Sequence, residues 1–205
     1  MTKTQQIQEE NGAVKVLLNL LKLSDETTYA HSISVASIAE SLIEFMQDRP
    51  WSQSEVEEII TGALLHDIGK AFVPFHVQSS SLSLDFNRKI MIQSHPSIGY
   101  EIVRGCFPEI VEEIVLLHHE KADGTGYPYI PEVGLFDEDN IPDYVTLVAY
   151  ADILDALITD KPYRSGMSLD EALKVMLKEI DSKKLSYKFK SILIEYVNKN
   201  NVLEQ

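Results

Sequence analysis

The sequence predicts an all-α protein, and three observations carry that expectation. Apolar residues recur at three- and four-residue spacing through most of the chain. Ser52 with Glu55 and Ser168 with Glu171 form capping-box signatures, each a serine followed three residues later by a glutamate just ahead of an apolar run. No stretch alternates apolar and polar residues convincingly enough to read as a strand.

Taken in order, Val14, Leu17, Leu18 and Leu21 form a first apolar stripe that ends near Leu23. A second runs through Ile33, Ala36, Ile38, Ala39, Leu42 and Ile43 behind a cap at Ser24 or Asp25. The box at Ser52 opens a helix through Val56, Ile59, Ile60, Ala63 and Leu64, and Gly69 offers a stop directly behind His66-Asp67. Residues 75–83, rich in serine, read as a loop. A helix then runs to about His95, because Pro96 disfavours helix at the residue before it. Short helices over about 97–105 and 108–119 lead into a Gly-, Pro- and acid-rich segment, 120–142. Helix resumes from about Pro142 to Ile158 and from the box at Ser168 to about Ile180, and an amphipathic stretch runs from Phe189 to Val197. The expected layout is an N-terminal helical segment (1–23), a core (24–166) and C-terminal helices packed on it (167–205).

The 205 residues fit one domain with a short helical extension, and 44% apolar content suffices for a core. No apolar run approaches the roughly 20 residues that span a bilayer, so no membrane segment is expected. The polar start MTKTQQIQEENG lacks a signal-peptide core, which points to the cytoplasm. The single cysteine, Cys106, rules out an internal disulfide. A formal charge of −14 disfavours a long nucleic acid as partner. A small anionic nucleotide stays open, because bound divalent metals reverse the local potential.

Five of the 6 histidines fall in short clusters: His31, His66-Asp67, His95-Pro96 and His118-His119; only His76 stands apart. Asp123-Gly124-Thr125-Gly126-Tyr127-Pro128 follows the last pair, and Asp152 and Asp155 sit three residues apart. Imidazole-rich sets suit iron, manganese, nickel, cobalt or zinc. This set exceeds what one tetrahedral ion accepts and includes no cysteine pair. More ligands than one ion can take imply two ions, with Asp67 the natural bridge. Two ions roughly 3.5–4 Å apart can share a hydroxide and clamp an in-line displacement at phosphorus.

Each feature also has a plainer reading. His31 and His95 alone would pass for a core residue and a helix end, and His118-His119 for a solvated helix terminus. GTGYP alone is an ordinary tight turn. Glu132, Asp137, Glu138, Asp139 and Asp143 form a solvated acidic run, and the last helix reads as packing or a homodimer face. The ordered set tips the balance.

That set resembles the HD superfamily of metal-dependent phosphohydrolases, and specifically its HD-GYP subgroup: HDIGK at 66–70, HP at 95–96, HHE at 118–120, DGTGYP at 123–128, ADILDAL at 151–157 and KPYR at 161–164. The resemblance implies a single HD-type helical bundle that hydrolyses cyclic di-GMP to linear pGpG, and onward to GMP in some members, through a metal-bridging hydroxide. It implies that His31, His66, Asp67 and Asp152 hold one ion and that Asp67 bridges to a second held by His95, His118 and His119. Iron is the first expectation for both ions. Lys70 would contact the scissile phosphate, Tyr127, Lys161 and Arg164 would hold the nucleotide, and Asp155 would orient the attacking water or a ligand.

Some positions depart from the pattern. The glutamate of three-metal members is Thr27 here, which favours two ions; Glu26 is one residue off. Ser34 and Lys161 stand where the subgroup carries arginines, and lysine lacks the forked grip on phosphate. Two alternatives therefore stay open: an HD phosphohydrolase acting on another cyclic dinucleotide or a nucleotide, and a non-catalytic adaptor that binds nucleotide. A diguanylate cyclase or sensor protein is the protein partner expected for the chain.

Overall fold

The computed structural model describes residues 1–46, 51–74, 77, 86–128, 137, 140–160 and 165–203. Ten α-helices have both ends within the described residues: α1 (Lys3–Glu10), α2 (Gly12–Ser24), α3 (Glu26–Glu44), α4 (Gln53–Leu65), α5 (Phe86–Gln93), α6 (His95–Val103), α7 (Glu109–Leu117), α8 (Asp143–Ile158), α9 (Leu169–Asp181) and α10 (Lys190–Leu203). A 3-10 helix, Ile68–Phe72, lies between α4 and α5, and the described residues include no strand. The architecture is a single helical domain. Among the described residues no helix is long and apolar enough to cross a membrane.

Helix α8 runs through the middle. Val145 to Ala151 are buried without a break, so the helix meets protein on every side rather than along one stripe. It packs against α3, which in turn packs on α4, and α4 packs on α7. One apolar core joins these helices to both ends of the chain, from Ile7 to Val197. Helix α9 lies on α8 through Ala172, Met176 and Ile180, and α10 lies on α9 and α3. The Tyr150 hydroxyl donates to the Ser186 carbonyl, which ties the turn between α9 and α10 to the centre of α8.

Both capping boxes form, at Ser52 and at Ser168, and Asp25 rather than Ser24 caps α3. Helix α1 carries too few apolar residues to show a stripe. A third capping box, between Thr2 and Gln5, starts it. The Glu40 carboxylate of α3 anchors it by accepting from the amides of Lys3 and Thr4, at 2.6 and 3.0 Å, and from the Thr4 hydroxyl at 2.7 Å. Pro96 divides two helices, as expected, but His95 opens the second instead of closing the first.

Gly69 does not act as a helix stop. It sits inside the 3-10 helix, and a Cβ there would lie 2.0 Å from the His95 carbonyl oxygen and 2.7 Å from the Gly99 amide nitrogen. The residue is glycine because two backbones touch, and that contact sets Asp67 against His95. The loop expected at 75–83 lies outside the described residues except for Val77, as does His76, and of the acidic run only Asp137 and Asp143 are described.

Candidate metal centre

Five helices and one 3-10 turn deliver the clustered side chains to one place. His31 comes from α3, His66 caps the C-terminus of α4, Asp67 leads into the 3-10 helix that carries Lys70, and His95 opens α6. His118 caps the C-terminus of α7 and is followed by His119, while Asp152 and Asp155 project from α8. His66, Asp67, His95, His118 and Asp155 are buried.

Three of these rings are held the same way. Nδ1 of His66 lies 2.8 Å from the Ala63 carbonyl, that of His95 2.7 Å from the Ile92 carbonyl, and that of His118 3.1 Å from the Val115 carbonyl. A carbonyl only accepts, so each Nδ1 carries the hydrogen and each Nε2 of a neutral ring presents a lone pair. Nε2 of His95 and of His118 are 3.2 Å apart. Burial, with the imidazoles of His119, His66 and His95 crowded round it, holds the His118 pKa well below the ordinary value, so that ring is neutral. Facing lone pairs repel unless a cation lies between them.

Asp67 is the hub. Its Oδ1 lies 3.1 Å from His95 Nε2 and 3.9 Å from His118 Nε2; its Oδ2 lies 3.3 Å from His66 Nε2, 3.8 Å from His31 Nε2 and 2.6 Å from Lys70 Nζ. The two carboxylate oxygens therefore serve two different sets of imidazoles. Donor atoms of Asp67, His95, His118 and His119 all lie within 4.8 Å of one another, and so do those of His31, His66 and Asp67. Burial would raise the Asp67 pKa, but Lys70 and His66 outweigh it and keep the carboxyl ionised. Asp67 Oδ1 and His66 Nε2 are buried without a hydrogen-bond partner, and a divalent cation would satisfy both. The donor set fits transition metals.

His31 is held differently. Its Nε2 lies 2.9 Å from Asp152 and its Nδ1 2.5 Å from Asp155. Burial would lower its pKa, but hydrogen bonds to these two carboxylates outweigh it and raise it to about 9. Asp155 in turn accepts from the Ser34 hydroxyl and, at 3.1 Å, from that of Thr159. Ser34, expected on the substrate side, thus belongs to the network behind His31. One turn of α3 separates it from His31, and this directs its hydroxyl at α8.

His119 is pushed down to about 3, chiefly by burial, and stacks on Tyr127 with ring centroids 4.6 Å apart. The amide of Tyr127 donates to the His119 carbonyl at 3.2 Å. Gly126 permits this fold-back, since a Cβ there would fall 2.5 Å from the Glu120 Cα. Thr27 and Glu26 are exposed on the first turn of α3. Lys161 and Arg164 lie outside the described residues.

A cavity of about 300 Å³ opens beside His118, His119 and Asp152. A larger one of about 580 Å³, between α1, α4 and Pro108, touches none of the clustered residues. Three of the clustered residues line the smaller one. Its far wall, including Glu179 and Lys184, had no signal in the sequence, because exposed charges on a C-terminal helix and turn form no motif.

A family model described as the HD domain matches residues 28–157. The cyclic di-GMP phosphodiesterase PA4108 of Pseudomonas aeruginosa is 34% identical over 158 residues, which are 76% of this chain and 36% of that protein. The 3'3'-cGAMP-specific phosphodiesterase 3 of Vibrio cholerae is 34% identical over 154 residues, 73% of this chain and 31% of that protein. The chain thus spans about a third of the length of these relatives. Among solved structures, the HD domain of the L. monocytogenes phosphodiesterase PgpH superposes with a TM-score of 0.65 at 16% identity, covering 92% of this chain and 99% of that one. This chain belongs to the HD domain family and carries the motif set of the HD-GYP subgroup.

Proposed function

We propose that this chain is a metal-dependent phosphodiesterase that hydrolyses cyclic di-GMP to linear pGpG, with onward cleavage to GMP as a second step. The observation that carries the reading is Asp67, whose two oxygens face separate groups of imidazoles. Two divalent transition-metal ions, iron first and manganese, nickel, cobalt or zinc next, would be held by His31, His66, Asp67 and Asp152 on one side and by Asp67, His95, His118 and His119 on the other. Bound there, such ions lower the pKa of water and neutralise charge on phosphate.

The chain's own groups have separate tasks. Lys70, placed 2.6 Å from Asp67, offers its ammonium to the phosphate oxygens as charge develops on them. Burial, with Asp67 and Asp152 nearby, raises the Tyr127 pKa, so the phenol stays a hydrogen-bond donor to the nucleotide. Asp155 is a positioning residue: it fixes the His31 ring, while Ser34 and Thr159 fix Asp155. Lys161 and Arg164 complete the nucleotide contacts in this reading.

Turnover of cyclic di-GMP by protein loaded anaerobically with Fe(II) or Mn(II) tests the proposal. Appearance of pGpG supports it, and no product from metal-replete protein overturns it. The Vibrio cholerae relative's name favours one second reading, a different cyclic dinucleotide such as 3'3'-cGAMP; competition among cyclic dinucleotides separates the two. An adaptor role alone would leave signalling output unchanged in a His118→Ala, His119→Ala variant.

A further inference from the structure

Helix α2 carries two apolar stripes, and the fold buries one of them. Val14, Leu18 and Leu21 are buried in the core. Val16, Leu20 and Leu23 repeat the same spacing two residues further on, which on an α-helix is about 200° round, the opposite side. They are 67%, 39% and 87% exposed. A helix that is apolar on both sides belongs between two layers of protein, yet the outer stripe faces solvent. The charges on α2 are Lys15 and Lys22, both exposed, and the helix holds no carboxylate. Lys22 is shared with Glu26, 3.8 Å away at the start of α3. In a chain of net charge −14 this is a basic, apolar face.

A complementary surface lies next to it. The cavity of about 580 Å³ between α1, α4 and Pro108 has apolar lining from Ile7, Phe107, Pro108 and Val111, and charged side chains beside it. Lys3 is taken by Glu57 at 2.6 Å, which leaves Glu10 and Glu58 to set the sign of the groove. Its lining also includes Asn11 and Gly12, the N-cap and first residue of α2. The basic apolar helix face and the acidic apolar groove are therefore contiguous on the surface.

We propose that these two patches are the halves of a homodimer interface, in which α2 of each copy lies in the α1–α4 groove of the other. A twofold axis beside Gly12 sets each patch of one copy against the other patch of the second, so the contact closes at two copies. Charge chooses this pairing over α2 against α2, where a twofold axis would set Lys15 and Lys22 beside their own counterparts. An amphipathic helix in an apolar groove is a recurrent mode of association, and Val16, Leu20 and Leu23 supply its anchors. None of these residues belongs to the metal centre, so the inference stands apart from the phosphodiesterase reading.

Sedimentation equilibrium of the full chain should show a monomer–dimer equilibrium with a dissociation constant of about 1 μM or below. Val16→Asp, at a position exposed in the single chain, should weaken it at least about tenfold, since a carboxylate would enter an apolar groove. Circular dichroism should show the same helix content as the wild type. Lys15→Glu with Lys22→Glu, and separately Glu10→Lys with Glu58→Lys, should each leave the chain monomeric, because like charges then meet in both halves of the interface. An equimolar mixture of these two double variants should dimerise again, since every helix of one finds a groove of opposite charge on the other. A wild type that stays monomeric to about 100 μM overturns the proposal and leaves the face to a different protein. An undiminished dimer in Val16→Asp overturns it too, as does a groove variant that dimerises alone, which would mean that α2 pairs with α2. A mixture no more dimeric than its components has the same force.

Discussion

His31 Nδ1 on α3 lies 2.5 Å from an Asp155 carboxylate oxygen on α8, although 124 residues separate them in the chain. The contact aims the other ring nitrogen at Asp152 and Asp67. Asp155→Asn keeps the shape but weakens the acceptor, so the ring should turn more freely. Metal affinity at the His31 subsite should fall by about 10–100-fold, the usual effect of losing such a support. Chelator competition measures it, and full activity should return at high metal concentration. Ser34→Ala should act in the same direction with a smaller effect.

The pH dependence of the metal-free protein has two limbs of opposite origin. His31 has its pKa raised from 6.5 to about 9, so its stabilising contribution is complete below 6.5 and is lost as pH rises through about 9. His119, lowered to about 3, and His118, held well below its ordinary value, favour folding above 6.5 and lose that contribution as pH falls. Thermal unfolding of metal-free protein should therefore be highest close to pH 6.5. Loading of the His31 subsite must expel a proton, so affinity there should climb with pH up to about 9. Titration in buffers of different ionisation enthalpy counts the proton released.

Gly69→Ala forces a Cβ to within 2.0 Å of the His95 carbonyl oxygen. Backbone on both sides leaves nothing flexible to yield, so the cost should be at least the ~1–3 kcal/mol of an overpacked core. The same shift moves His95 away from Asp67. Denaturant unfolding should show the loss of stability, and metal content should fall at the His95, His118 and His119 subsite first.

Chelation should also loosen the fold. Ligands that bind only the native state stabilise it by RT ln(1 + [L]/Kd), about 2.7 kcal/mol at a hundredfold excess over Kd. Removing metal leaves three Nε2 lone pairs and two carboxylate oxygens crowded together, and calorimetry should record a lower melting temperature that re-addition of Mn(II) restores.

Much of the helical layout and most of the clustered residues are legible in the sequence because they leave local marks: capping boxes, apolar stripes, and histidines set beside carboxylates and glycines. Features that depend on partners distant in the chain leave none. Helix α1 holds through Glu40, a contact that no pattern in residues 3–10 announces. Gly69 resembles a helix stop, and only the packed backbones of His95 and Gly99 give its actual reason. Ser34 reads as a lost arginine on the substrate side, whereas its hydroxyl serves Asp155 across the helix pair. The wall formed by Glu179 and Lys184 has no signature at all, since its meaning comes from standing opposite α8.

The most direct test of this account is the metal content of anaerobically loaded protein, measured by atomic emission for the wild type and for Asp67→Asn. Two ions per chain in the wild type, falling to one or none in the variant, is the predicted result. A wild type that holds a single ion, or a variant that keeps two, would contradict the claim that one buried carboxylate joins two sets of imidazoles.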